Sequence, residues 1–136
     1  MPAGNLAQGG VTIVGIAQTP TLTFYLASAI AATDIGKPVK LDTTASNRVA
    51  LAGDGDAILG VLESYEDRAQ EGVKTGAVTI RGGYRFNYPT GDAVAVGDSI
   101  VGSAVSGEVK KAGSANKTLV IAKNTSTLTV DVFIGL

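Results

Sequence analysis

Residues 30–62, IAATDIGKPVKLDTTASNRVALAGDGDAILGVL, constrain the fold more than any other stretch of the chain. They read as three short strands joined by turns. Val39 and Leu41 belong to the first, Val49 and Leu51 to the second, and Ile58, Leu59 and Val61 to the third. Gly36 in Asp34-Ile35-Gly36-Lys37-Pro38 can take a positive φ and Pro38 fixes its own, so this turn aims the first strand. Asp54-Gly55 between apolar runs is the strongest hairpin signal in the sequence.

A weaker echo of this stretch follows in the second half. Val49-Ala50-Leu51-Ala52-Gly53 lines up with Val109-Lys110-Lys111-Ala112-Gly113, and Val61 then falls opposite Ile121. One residue out of that register, Gly36 and Val39 face Gly97 and Ile100. The matches suggest an internal duplication of one β unit.

A chain of 136 residues is expected to form one domain. It buries roughly two-thirds of the surface that its unfolded form exposes. It contains no Cys, which favours a reducing or virion setting over a secreted disulfide scaffold. The net charge of −1 gives no electrostatic footprint for nucleic acid. The longest apolar run, residues 26–32, is interrupted by Ser28 and is far too short to span a bilayer. Met1-Pro2-Ala3-Gly4-Asn5 has no basic region of the signal-peptide kind.

Residues 1–10 have only Leu6 as a sizeable apolar anchor and read as a flexible arm ahead of a β domain over residues 11–136. Residues 11–16 and 21–26 form a strand pair around Gln18-Thr19-Pro20. In the second strand Leu22, Phe24 and Leu26 share one face, with Thr21, Thr23 and Tyr25 on the other. Residues 27–33 carry no cap or stripe that commits them beyond a helical turn. The charge-dense residues 63–72 read as a solvated loop or short helix.

Residues 73–81 read as a strand that Gly82-Gly83 breaks or bulges. In Tyr84-Arg85-Phe86-Asn87-Tyr88-Pro89 the two tyrosines are expected on one face and Phe86 on the other. Arg81 and Arg85 beside these rings invite single-stranded nucleic acid, but two arginines in a chain without net basic charge favour packing within the sheet. A strand over residues 94–101 holds a turn at Gly97-Asp98. Leu119-Val120-Ile121 reads as a buried strand. Over residues 127–134 Leu128, Val130, Val132 and Ile134 point inward, opposite Thr127, Thr129, Asp131 and Phe133. Phe133, Tyr84 and Tyr88 are the candidates for a subunit interface.

Chemistry is scarce. Without His or Cys there is no imidazole base, thiolate, nitrogen or sulfur metal site, or Ser-His-Asp triad. Gly53-Asp54-Gly55-Asp56 offers two carboxylates of a calcium loop but lacks the third acid, the sixth-position glycine and the closing glutamate. It reads as a turn. No glycine loop of the phosphate- or dinucleotide-binding kind is present. No cofactor, no metal and no catalytic residue are expected.

The succession Asp34-Ile35-Gly36-Lys37-Pro38-Val39-Lys40-Leu41-Asp42, Gly60-Val61, Val78-Thr79-Ile80-Arg81-Gly82, Val96-Gly97-Asp98-Ser99-Ile100-Val101 and Gly107-Glu108-Val109 resembles the small capsid decoration, or cement, proteins of tailed bacteriophages. The resemblance covers residues 22–134 and rests on a rhythm of glycine turns and valine strands. It implies a compact, mainly β fold of the β-tulip or β-clip kind, a barrel or sandwich of short strands. It also implies a homotrimer, made in the host cytoplasm, that binds the major capsid protein on the outer capsid surface. Neither nucleic acid nor membrane is implied as a partner. Family members often reach the shell with an N-terminal arm, for which Pro2, Ala3, Asn5, Leu6 and Gln8 are the candidates here. The aromatic residues 84–88 depart from the pattern. The alternative is a carbohydrate- or surface-binding β module of a phage fibre or tail, although such modules normally display Trp or Tyr platforms beside acids and amides.

Overall fold

The computed structural model describes residues 20–136. Eleven short strands account for the regular structure, with two single-turn 3₁₀ segments at Ala32–Asp34 and Ala69–Glu71. The first six strands are β1 (Thr21–Leu26), β2 (Pro38–Leu41), β3 (Arg48–Leu51), β4 (Gly60–Leu62), β5 (Glu66–Arg68) and β6 (Val73–Thr79). The order β1-β3-β2-β4-β6 closes on itself because β1 also pairs with β6, forming a five-stranded barrel that β5 extends at its rim. β1 runs parallel to β3, with Leu26 opposite Val49, and every other pair is antiparallel.

The remaining strands are β7 (Gly82–Asn87), β8 (Ile100–Gly102), β9 (Val109–Lys111), β10 (Thr118–Asn124) and β11 (Thr129–Ile134). They form a three-stranded sheet, β10-β11-β7, and the β8–β9 hairpin, together an incompletely bonded second barrel whose pairings follow those of the first. β7 pairs with β11 as β1 pairs with β6. β8 and β9 form a hairpin as β2 and β3 do. A parallel bridge from Asn87 to Glu108 stands where Tyr25 meets Arg48. β10 lies along β11 as β4 and β5 together lie along β6.

The register fixes the equivalences. Leu22 and Tyr84 stand opposite Val78 and Val132, and those valines in turn face Leu62 and Val120. The duplication expected from Val49 and Val109 and from Gly36 and Gly97 is therefore present. The pairing of Val61 with Ile121 is corrected by two residues of register: Leu62 corresponds to Val120, and Val61 to Leu119.

The β8–β10 joint of the second barrel lacks the ladder that joins β2 to β4, and a side chain bridges it instead. At Gly60 an added Cβ would run into the Thr79 carbonyl, so the backbones of β4 and β6 approach closely. The equivalent position in the second barrel is Thr118, whose Oγ1 accepts the Ile100 N–H at 2.9 Å in place of a backbone carbonyl. Each barrel has its own apolar core. The first contains Leu26, Ile30, Val39, Val49, Leu62 and Val78. The second is built on Phe86, Tyr88, Val94, Ile100, Val109 and the inward valines of β10 and β11. Successive residues of a strand face opposite ways, and β4 uses this to join the two: Leu62 enters the first core and Val61 the second.

Residues 53–56 fasten the barrels together. The Gly55 N–H donates to the Gly102 carbonyl and the Gly102 N–H to the Asp56 carbonyl, both at 2.9 Å. The Asp54 carboxylate meets Lys110 Nζ at 2.5 Å. Asp54-Gly55 is thus a turn but not the hairpin expected, because β2 lies between β3 and β4 in the sheet.

Other local expectations change as well. Residues 63–72 include the edge strand β5, exposed at all three positions, where its charges keep an open edge from pairing with another chain. Tyr84, Phe86 and Tyr88 share one face, as their two-residue spacing requires, so Phe86 does not oppose the tyrosines. Residues 94–99 form a turn, and strand begins only at Ile100. The pairing of β10 with β11 shifts between Val120 and Ala122, and Ile121, which follows the inward Val120, is exposed and left unpaired in this bulge. The strand expected over residues 11–16 lies outside the described residues.

Candidate functional site

The turn before the second strand of each barrel is the most repeated polar geometry in the molecule. In the first, the Gly36 N–H donates to the Leu62 carbonyl at 2.7 Å and Leu62 returns a bond to the Lys37 carbonyl at 3.1 Å. In the second, the Gly97 N–H donates to the Val120 carbonyl and Val120 to the Asp98 carbonyl, both at 2.8 Å. Both glycines have φ of +94°, a left-handed conformation that other residues rarely adopt. The residue ahead of each is apolar and projects outward: Ile35 is 48% exposed and Val96 62%. Single exposed apolar side chains are ordinary. Ile35 and Val96 are exposed at the same position of a duplicated unit.

Ile35 also borders a shallow groove between the barrels, with Lys37, Arg85, Val105, Ser106 and Glu108. Within it Lys37 Nζ donates to Asp34 Oδ1 at 2.8 Å and to Ser106 Oγ at 3.1 Å. The triplet ties the first barrel to the β8–β9 loop. Burial of Asp34 opposes its charge. The Lys37 ammonium and the Ala31 N–H at 2.9 Å outweigh that and hold its carboxyl below the ordinary range.

Among the described residues no group of three His, Cys, Asp or Glu side chains could hold a metal ion. The acids of Gly53-Asp54-Gly55-Asp56 are committed to neighbours: Asp56 accepts the Gly53 N–H at 2.8 Å and pairs with Lys40 at 2.9 Å.

The expected interface residues do not form one surface. Tyr88 is corrected outright: at 3% exposure it sits in the core of the second barrel, because it continues the inward face of β7. Lys123 lies over its ring at 5.2 Å and donates to the Val94 carbonyl at 2.7 Å. Tyr84 is half-buried on the same inward face, and its hydroxyl donates to Glu63 Oε2 at 2.9 Å. Burial and the Glu63 carboxylate raise its phenol above the ordinary range. Phe133 is half-buried on the opposite, outer face, where it stands opposite Leu119 and Gly83. Pro2, Ala3, Asn5, Leu6 and Gln8 lie outside the described residues.

Comparison with protein-family models, with curated proteins and with solved structures finds no match. Sequence reasoning had passed over Ile35 and Val96. The signal available was the shared apolar-Gly pair, Ile35-Gly36 and Val96-Gly97, at the start of each repeat.

Proposed function

We propose that the chain is a structural virion protein that binds the outer surface of an assembled phage capsid and stabilises the shell. The observation that carries this reading is the repeated apolar tip, Ile35 in one barrel and Val96 in the other. The two tips belong to the turns on which the sequence resemblance to decoration proteins rests. A repeating shell offers equivalent contacts to repeated tips. Once one contact has formed, the next forms at high effective concentration, which raises avidity by roughly 10²–10⁴ over a single contact.

The reading includes a homotrimer, with Phe133 on the outer face of β11 as the remaining candidate for a subunit contact. Its partner is the major capsid protein in assembled form. Co-sedimentation with expanded shells and with unassembled capsid protein tests the reading. Pelleting with the shells and no complex with the free subunit is expected. Equal affinity for isolated subunits would exclude a role as cement.

A further inference from the structure

The duplication allows one barrel to be read against the other, and their differences converge on a single side chain. Tyr25 and Asn87 occupy the same outward position, each beside its parallel partner strand. Between the pair Leu41–Val49 lie residues 42–48, one residue more than residues 103–108 between the equivalent pair Gly102–Val109. Both connections end on a left-handed residue, Asn47 at φ of +56° in the first and Gly107 at +87° in the second, so only the first carries a side chain there. Beyond the equivalent pairs Glu66–Thr75 and Asn124–Thr129, the β5–β6 hairpin extends over residues 67–74, four residues more than the turn at residues 125–128. Both enlarged loops flank Tyr25, which is 48% exposed. They help to line two shallow grooves that Tyr25 borders. Ser28, Ser46, Arg48 and Lys74 line one, and Thr23, Asn47, Arg68 and Glu71 the other.

We propose that Tyr25 is the platform of an oligosaccharide-binding site, a role separate from capsid binding. A tyrosine ring offers a rigid apolar face with little rotamer freedom to lose. A pyranose presents a matching apolar face and a rim of hydroxyls. A ring stacked on Tyr25 places its neighbours in the two grooves, where amide, hydroxyl and paired-charge groups meet those hydroxyls.

The charged groups are already positioned. Arg48 is held by Asp42 at 2.7 Å and by Thr44 at 2.8 Å. Arg68 pairs with Glu71 at 2.7 Å. Lys74 donates to the Ser28 and Ile30 carbonyls at 2.9 and 3.0 Å. With both arginines neutralised and Lys74 engaged, a phosphodiester backbone gains little here, so a neutral polyol is favoured over single-stranded nucleic acid.

The test is an NMR chemical-shift titration of the full chain with cellohexaose, chitohexaose and mannohexaose, and with a thymidine oligonucleotide. Saturable shifts at Tyr25, Asn47, Arg68 and Glu71 with at least one glycan are expected, with none at Asn87. Tyr25→Ala should weaken that binding by about tenfold and Tyr25→Phe should retain it. Asn47→Gly, which keeps the left-handed backbone and removes the amide, should weaken it as well. No saturable shift with any of the glycans would overturn the proposal. So would binding of the oligonucleotide alone, or glycan binding that Tyr25→Ala leaves unchanged.

Discussion

Gly36 and Gly97 hold one conformation in two places: both have φ of +94°, and each donates its N–H across the barrel, to Leu62 and to Val120. A Cβ added at either glycine would meet no atom within 4 Å. The cost of a side chain there is therefore one of backbone conformation alone. Gly36→Ala and Gly97→Ala should each destabilise the protein by about 1–2 kcal/mol in urea unfolding. Gly83→Ala, in equally open space without a positive φ, is the control and should be near neutral. Equal losses at all three positions would show that the left-handed turn is not what these glycines supply.

Gly102 tests how the barrels meet. A Cβ there would run into the Gly53 carbonyl and into Ala52, so Gly102→Ala must push the fastening loop, residues 53–56, away from β8. A loss of about 1–3 kcal/mol is expected from overpacking. Amide exchange should show the Gly55 and Gly102 N–H groups losing protection first.

The last strand separates core from surface residue by residue. Val130 is 1% exposed, and Val130→Ala should cost about 1–3 kcal/mol through lost burial and a residual cavity. Phe133→Ser should cost a proven monomer less, since Phe133 lies on the outer face. A larger loss for Phe133→Ser in an oligomer would place that residue in the subunit contact. Chemical denaturation with parallel mass measurement distinguishes the two cases.

Acid sensitivity should be traceable to Asp34 and Asp42. The Thr44 hydroxyl and N–H, with Arg48 beside them, hold the Asp42 carboxyl down to about 2. Asp34 is lowered by Lys37 and Ala31 against the opposing effect of its burial. A carboxyl that is more acidic in the folded chain binds fewer protons than in the unfolded one. Its stabilisation is present above the unfolded value near 3.8 and is lost as pH falls through the folded value. Melting temperature should therefore drop below about pH 4, and Asp34→Asn should flatten that fall while lowering the neutral-pH plateau. An unchanged acid limb in Asp34→Asn would remove the Asp34–Lys37 pair from the account.

The sequence made the strands of residues 30–62 legible because turn residues punctuate them, and it made β11 legible because its alternation is unbroken. Half of the duplication was readable, at Val49 with Val109 and Gly36 with Gly97. The rest was hidden because the repeats differ in connection length and because Leu22, Phe24 and Leu26 correspond to Tyr84, Phe86 and Tyr88. The sheet order was not readable, since Asp54-Gly55 carries the local chemistry of a hairpin while its real bonds run to Gly102. Ile121 looked buried in an apolar run, yet it follows the inward-facing Val120 and so points outward. Tyr25 was assigned to the face of β1 that it shares with Thr21 and Thr23, yet the grooves beside it depend on loops distant in sequence.

The repeated apolar tips are tested most directly by the disruption temperature of expanded shells. Shells decorated with the wild-type protein should withstand higher temperature than bare shells, since a ligand that binds only the assembled state stabilises it by mass action. Ile35→Asp or Val96→Asp alone should reduce the gain, and the double variant should abolish it while the free protein remains folded. A double variant that stabilises shells as well as the wild type would contradict the account.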